Sequence, residues 1–224
     1  MPDRPDPVAG ALRRGFDNMV RRDLRGVWLA GAVPPGPFVW AANHHSWWDP
    51  FLAAVVLSRL GHTPCLLMRQ DNLQRYGFAR RLGGFGTNEQ RRGLDHLRAG
   101  RVLVIYPEGG LRPAGPPGDL ADGAAWYARH TGVALCAVAT RVVLRGHQAA
   151  EAYLWCAEVP SDRSTAEVTC RLSRQLADEL AQLDAAILAT DPREPLPGFR
   201  RVVSGRRSWD ERIDTLTRWS PWPR

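Results

Sequence analysis

The sequence predicts a single α/β domain with a central, mostly parallel or mixed sheet flanked by helices. Three observations predict it. Short apolar runs bounded by polar, Gly or Pro residues recur along the chain. Stretches of helical period lie between several of these runs, and such alternation packs helices against a sheet. The 224 residues are 44% apolar and 24% charged, the balance of one folded domain. That balance excludes a wholly disordered chain, a collagen-like repeat and a coiled coil, and no internal repeat or low-complexity linker divides the chain.

The elements follow in order. Residues 1–7 read as a frayed end. Residues 8–22 read as an amphipathic helix, because Val8, Leu12, Phe16, Met19 and Val20 keep the helical period. Arg13, Arg14, Asp17, Arg21 and Arg22 supply its polar faces. This helix either packs on the domain or lies, as a basic interfacial helix, on anionic lipid. Strands are expected at 26–30, 38–42, 64–68, 101–106, 135–140 and 152–158. Helices are expected at 50–60, 73–82, 90–99, 120–131 and 165–189. The organisation is then an N-terminal helix (1–22), a domain body (23–191) and a basic tail (192–224). The tail clusters arginines with Trp209, Trp219 and Trp222. Pro195, Pro197, Pro221 and Pro223 make it mostly extended, as a surface wrap or a binding arm.

The formal net charge is +7, and all thirty basic residues are arginine. Such a chain favours anionic partners: nucleic acid, an anionic membrane face or phosphorylated small molecules. The arginines are dispersed and no nucleic-acid motif is evident, so nucleic acid is not expected. The longest clean apolar run, 51–57, is far short of the ~20 residues of a spanning helix. Residues 1–10 are polar and contain three prolines, unlike a secretory signal. The expected location is cytoplasmic. None of Cys65, Cys136, Cys156 and Cys170 forms a C-x-x-C pair. The first three sit in apolar surroundings and read as buried, reduced core residues.

The first chemical constellation is Asn43-His44-His45-Ser46-Trp47-Trp48-Asp49-Pro50. It follows one expected strand and opens a helix, a common place for catalytic groups in α/β sheets. Histidine is the natural general base near neutral pH, and a carboxylate orients such a ring. On a regular helix His44 and Asp49 would stand ~140° apart, so the pair works only if His44 lies in the preceding turn. Pro50 favours that arrangement by taking the first helical position, which makes Asp49 the N-cap. Asp49 as a plain cap and His44 as a plain loop residue fit the same spacing. Six histidines and fifteen aspartates supply about 0.4 such pairs by chance, so context carries the reading. His44, His45 and Asp49 lack a further partner at metal-ligand spacing, and no metal or other cofactor is expected. Trp47 and Trp48 serve packing or line an acyl or membrane-facing groove.

The second constellation is Tyr106-Pro107-Glu108-Gly109-Gly110-Leu111-Arg112-Pro113, again at the end of an expected strand. Gly109 and Gly110 permit close backbone approach to a ligand. Glu108 suits substrate hydroxyls or an arginine, and Arg112 suits an anionic group. An ordinary turn with an exposed Glu is the alternative.

In this order and spacing the two segments resemble the glycerophospholipid acyltransferase superfamily, which includes the 1-acylglycerol-3-phosphate acyltransferases. Asn43, His44 and Asp49 match its Asn-His-x-x-x-x-Asp motif. Tyr106-Pro107-Glu108-Gly109 match its Phe-Pro-Glu-Gly-Thr-Arg-Ser motif about sixty residues on. The 133–140 strand is similar to a late Val-Pro-Val-Ala motif, with Ala137 where proline is usual. The resemblance covers residues 20–208 or so and implies a glycerol-phosphate acyltransferase-like fold over 23–191. It implies that His44 deprotonates an acceptor hydroxyl, with Asp49 in support. The oxygen then attacks the thioester of acyl-CoA or acyl carrier protein. It also implies that Asn43, Glu108, Gly109, Gly110 and Arg112 contact substrate, and that the chain meets the inner face of the cell membrane peripherally.

The departures concern anion binding. Glu89 stands where the second motif carries an arginine, and Leu111 replaces the arginine of the third. Arg112 comes one residue late; Arg91 and Arg92 are possible substitutes on the next helix. The resemblance implies a lysophospholipid or related lipid-like acceptor, and these departures favour a glycosylated, amino-lipid or other lipid-like alcohol over a standard glycerol phosphate. Two competing classes share parts of this reading: a thioester hydrolase using the same base, and a non-enzymatic basic membrane- or nucleic-acid-binding module.

Overall fold

The structure, a computed structural model, describes residues 6–217. Helix α1 (Pro7–Asp23) begins under Asp6, whose carboxylate accepts the N–H groups of Val8 at 2.9 Å and Ala9 at 3.3 Å. Asp6 and Pro7 are therefore not part of a frayed end. A side-chain cap and a proline in the first turn start the helix there. Residues 1–5 lie outside the described residues, as do Trp219, Pro221, Trp222 and Pro223 of the tail.

Eight strands form one mixed sheet: β1 (Leu24–Gly31), β2 (Phe38–Ala42), β3 (Pro64–Met68), β4 (Phe85–Gly86), β5 (Val102–Ile105), β6 (Ala134–Val143), β7 (Ala150–Val159) and β8 (Arg200–Ser204). The order is β4-β3-β5-β2-β6-β7-β1-β8. From β4 to β6 all neighbours are parallel, whereas β7 is antiparallel to β6 and β8 to β1. All five residues of β2 are buried, as a strand covered on both faces requires. Phe38, Trp40 and Ala42 join the core that holds Val20 of α1 and Leu52, Val55 and Val56 of α2 (Asp49–Arg59). Val39 and Ala41 join the core under α4 (Gln90–Arg98), α5 (Gly123–Thr131) and α6 (Thr165–Ala189). The parallel run brings the C-terminal ends of β2, β3, β4 and β5 to one edge, where the chain leaves regular structure.

Two local expectations are corrected. The helix expected over 73–82 is split into α3 (Gln70–Arg75) and a 3₁₀ segment, Gly77–Leu82. Tyr76 leaves the helical region (φ −113, ψ 53), and Gly77 beside it is a poor helix former. The tail is not a mostly extended wrap. Its residues Arg200–Ser204 pair antiparallel with β1 and bury Val203, and Trp209–Thr217 form α7. Pro195 and Pro197 precede this strand and leave its hydrogen bonds intact. Cys65, Cys136 and Cys156 are buried and all four cysteines are free thiols. Among the described residues no helix is long and apolar enough to cross a membrane.

Candidate active site

His44 lies in the turn between β2 and α2, and its Nδ1 is 2.8 Å from Asp49 Oδ2. Asp49 is not the N-cap. It is the first residue of α2, and Trp48 precedes the helix without a side-chain cap. The carboxylate turns back instead, so that Oδ2 also accepts the N–H groups of His45 and Ser46, each at 2.9 Å. One buried oxygen thus shapes the whole turn and orients the ring. With Nδ1–H donating to Asp49, Nε2 keeps its lone pair, and among the described residues nothing bonds to it. The His44 side chain is 21% exposed and that of Asp49 1%. A buried orienting carboxylate beneath a reachable ring nitrogen is the arrangement a general base needs. The ring of Tyr106, at the end of β5, stacks under His44 with centroids 4.5 Å apart. Burial, reinforced by the charge of Asp49, raises the Tyr106 hydroxyl well above its usual range.

Glu108 joins the two motifs. Its Oε1 accepts the N–H of His44 at 2.9 Å, and its Oε2 accepts the N–H of Gly118 at 3.0 Å. The N–H of Arg112 donates to the carbonyl of His44 at 2.7 Å. Both carboxylate oxygens therefore hold backbone, and Glu108 is buried. Gly109 adopts φ +72, in the left-handed region that favours glycine, and so lets the chain turn sharply after Glu108. Asn43 is likewise an internal clip. Its Oδ1 accepts the N–H of Thr140 at 2.7 Å and its Nδ2 donates to the Thr140 carbonyl at 3.2 Å.

Two contacts at this site carry no sequence signal. The His45 side chain is only 7% exposed, and its Nε2 accepts the N–H of Val142 at 3.2 Å. Burial holds its imidazole below the usual range, outweighing the nearby charge of Asp49. Arg141 binds Asp184 through Nε at 2.6 Å and through Nη2 at 2.8 Å, and Nη2 also donates to the Gly115 carbonyl at 2.9 Å. This buried guanidinium ties the 112–118 loop to α6. No local pattern in the sequence marks either contact, because the partners come from separate strands and helices.

The arginine candidates divide. Arg112 lines a cleft of ≈620 Å³ with Glu108, Gly115, Gly118 and Ser173. Arg91 and Arg92 stand exposed on α4, which follows β4. That strand is the third from β2, roughly 14 Å across the sheet at ordinary strand spacing. Arg92 lies 3.6 Å from Glu89. Glu89 itself accepts the N–H of Gly86 at 2.8 Å and pairs with Arg80 at 3.1 Å. It therefore clamps the turn in which the motif pattern carries a cation. Leu111 is exposed. Among the described residues no group of three or more His, Cys, Asp or Glu side chains is placed to hold a metal.

The strand-end pair of His44 and Asp49 and the Pro-Glu-Gly turn thus meet at one edge of the sheet. The family model Acyltransferase matches residues 30–141, half of the chain. The chain belongs to that family, as its two motifs indicate. The fold is similar to the crystal structure of the 1-acyl-sn-glycerophosphate (LPA) acyltransferase PlsC from Thermotoga maritima. The TM-score is 0.60 at 18% identity, over 80% of this chain and 79% of that one. No curated protein sequence matches the chain.

Proposed function

We propose that the protein is an O-acyltransferase that moves a fatty acyl group from acyl-CoA or acyl carrier protein to the hydroxyl of a lysophospholipid or related lipid-like acceptor. The observation that carries this reading is the 2.8 Å contact of His44 Nδ1 with buried Asp49, which leaves Nε2 unbonded at the sheet edge. Nε2 takes the acceptor's hydroxyl proton as the oxygen attacks the thioester carbonyl carbon. The tetrahedral intermediate collapses, the C–S bond breaks, and the thiolate leaves with the proton from Nε2. No acyl-enzyme forms. A positioned base supplies typically ~10²–10⁴-fold, and alignment of the two substrates supplies much of the rest.

Asn43, Glu108 and Gly109 serve this chemistry by holding His44 in place, and Arg112 stands at the cleft as the cation for an anionic group. Two familiar arginine positions are Glu89 and Leu111. Losing a charge-assisted contact costs about 1.5–3 kcal/mol, which favours an acceptor other than a standard glycerol phosphate. The enzyme works peripherally at the cytoplasmic face of the cell membrane, where such acceptors reside.

Labelled acyl-CoA and acyl carrier protein, offered with a panel of lipid acceptors to wild type and His44→Ala, test the proposal. Transfer that depends on His44 and favours neutral or glycosylated acceptors is expected. Strong preference for lysophosphatidic acid would overturn the acceptor assignment. Thioester cleavage without transfer to any acceptor would make the protein a hydrolase instead.

A further inference from the structure

Six aromatic side chains form an unbroken series of ring contacts on the α1–α2 side of the sheet. Trp48 touches Trp47 (centroids 5.3 Å apart), Trp47 touches Phe51 (4.5 Å), and Phe51 touches Phe16 (4.9 Å). Phe16 reaches Phe78 (6.4 Å), which reaches Tyr76 (6.3 Å). The series starts four residues from His44, crosses α2 and α1, passes through Phe78 of the 3₁₀ segment and ends at Tyr76 just before it. Its inner members, Phe16, Phe51 and Trp48, pack on the core. Its outer members are open: Trp47 is 59% exposed, Phe78 44% and Tyr76 39%. Large rings scattered singly on a surface need no explanation, but a connected exposed series does.

The charges beside this ridge identify what covers it. Arg75 stacks over the Tyr76 ring at 5.4 Å. Arg13 stands one helical turn before Phe16, on nearly the same face. Among the described residues neither Arg13 nor Arg75 has a carboxylate partner, whereas Arg59, Arg80 and Arg81 nearby are all paired. Aromatic rings rimmed by free arginines suit the boundary between acyl chains and anionic headgroups. A closed protein interface would need partners for those charges.

We propose that this ridge is the face that docks on an anionic bilayer, with Trp47 carrying the membrane surface up to His44. The proposal rests on the reading of the site as one that acylates a lipid alcohol, and it explains how the site meets an acceptor anchored in a leaflet. Phe78 and Tyr76 enter the headgroup layer with Trp47, and Arg13 and Arg75 meet phosphate. The cleft at Arg112 and Glu108 shares no lining residue with the ridge, so docking by these residues leaves it available for the donor.

The test is co-sedimentation of the full chain with phosphatidylcholine vesicles, with and without phosphatidylglycerol. Wild type is compared with Phe78→Ser/Tyr76→Ser and with a control, Leu188→Ser, at an exposed apolar residue of α6. Binding to phosphatidylglycerol vesicles is expected, weakened roughly tenfold or more in the double variant and unaltered in the control. The ratio of acyl transfer on vesicle-embedded to detergent-dispersed acceptor should fall with it. Equal vesicle binding by wild type and the double variant would overturn the proposal. So would a wild-type dimer that the double variant dissociates, since a second copy would then cover the ridge. Transfer to detergent-dispersed acceptor by wild type and His44→Ala reads the chemistry separately. Its absence would remove the acyltransferase reading without touching the binding result.

Discussion

Glu108→Gln separates two roles that a glutamate at this position can have. In the structure Oε1 and Oε2 each accept a backbone N–H, from His44 at 2.9 Å and Gly118 at 3.0 Å. An amide keeps one acceptor and turns an NH₂ donor toward the other N–H. One buried N–H then loses its partner and faces another donor. A hydrogen bond to a charged group contributes about 1.5–3 kcal/mol, and an orphaned buried donor costs about 1–3 kcal/mol. A net loss of about 2–3 kcal/mol is expected, measured as thermal or denaturant unfolding of the variant against wild type. The catalytic effect follows from geometry. If the His44 N–H is released, the ring shifts relative to the acceptor, and small misplacements of a base lower the rate up to ~10²-fold. Steady-state kinetics should therefore show kcat down by roughly 10- to 100-fold with little change in KM for either substrate. A raised KM for the acceptor at unchanged kcat would refute the reasoning, because it would mean that Glu108 binds substrate and does not brace the base. Unchanged kcat together with a lowered melting temperature would refute it too, since the brace would then serve stability alone.

Two further outcomes are expected. Asp49→Asn presents an amide to Nδ1 of His44 and weakens the three bonds that converge on Oδ2; acyl transfer should fall by about 10²–10⁴-fold, and retention of wild-type kcat would remove Asp49 from the mechanism. Glu179 on α6 is buried, and desolvation pushes its carboxyl from 4.5 up to about 7 despite the hydrogen bond from Gln175. Because its folded pKa is raised, its contribution to stability is fully present below pH 4.5 and is lost as pH rises through about 7. The loss is on the order of 3 kcal/mol at 1.36 kcal/mol per pKa unit. Glu179→Gln should flatten the stability profile between those limits, and denaturant unfolding from pH 5 to 8 that shows the same slope in both proteins would contradict it.

The fold class was legible because it rests on local pattern. Strands β2, β3, β5, β6 and β7 are short apolar runs with clear borders, and α6 opens on Ser164 and Glu167, which cap it reciprocally. Strand β8 was not legible. Arg200-Arg201-Val202-Val203-Ser204 carries two apolar residues among prolines and arginines, and only the free edge of β1 makes it a strand. The break at Tyr76 and the position of Asp49 inside α2 were missed by a residue or a few, the scale at which hydrogen-bond geometry overrides propensity.

The sequence by itself determined that His44 and Asp49 are near neighbours along the chain, while the fold of the turn decided that ring and carboxylate meet. They are five residues apart across a strand-to-helix turn, and chain connectivity alone limits their separation. It also determined that a Pro-Glu-Gly turn ends another buried strand. Only the tertiary structure decided what those groups do there. Strand order puts β5 beside β2, so that Glu108 reaches the His44 backbone and Tyr106 its ring. It puts β6 on the other side, so that Asn43 closes on Thr140, 97 residues away, and His45 closes on Val142. It gathers aromatics from α1, α2 and the 3₁₀ segment into one ridge. Periodicity records which face of an element is buried, but not which neighbour lies against it. Every buried N–H and carbonyl at the site needs a partner, and that partner is supplied by whichever strand the topology places alongside.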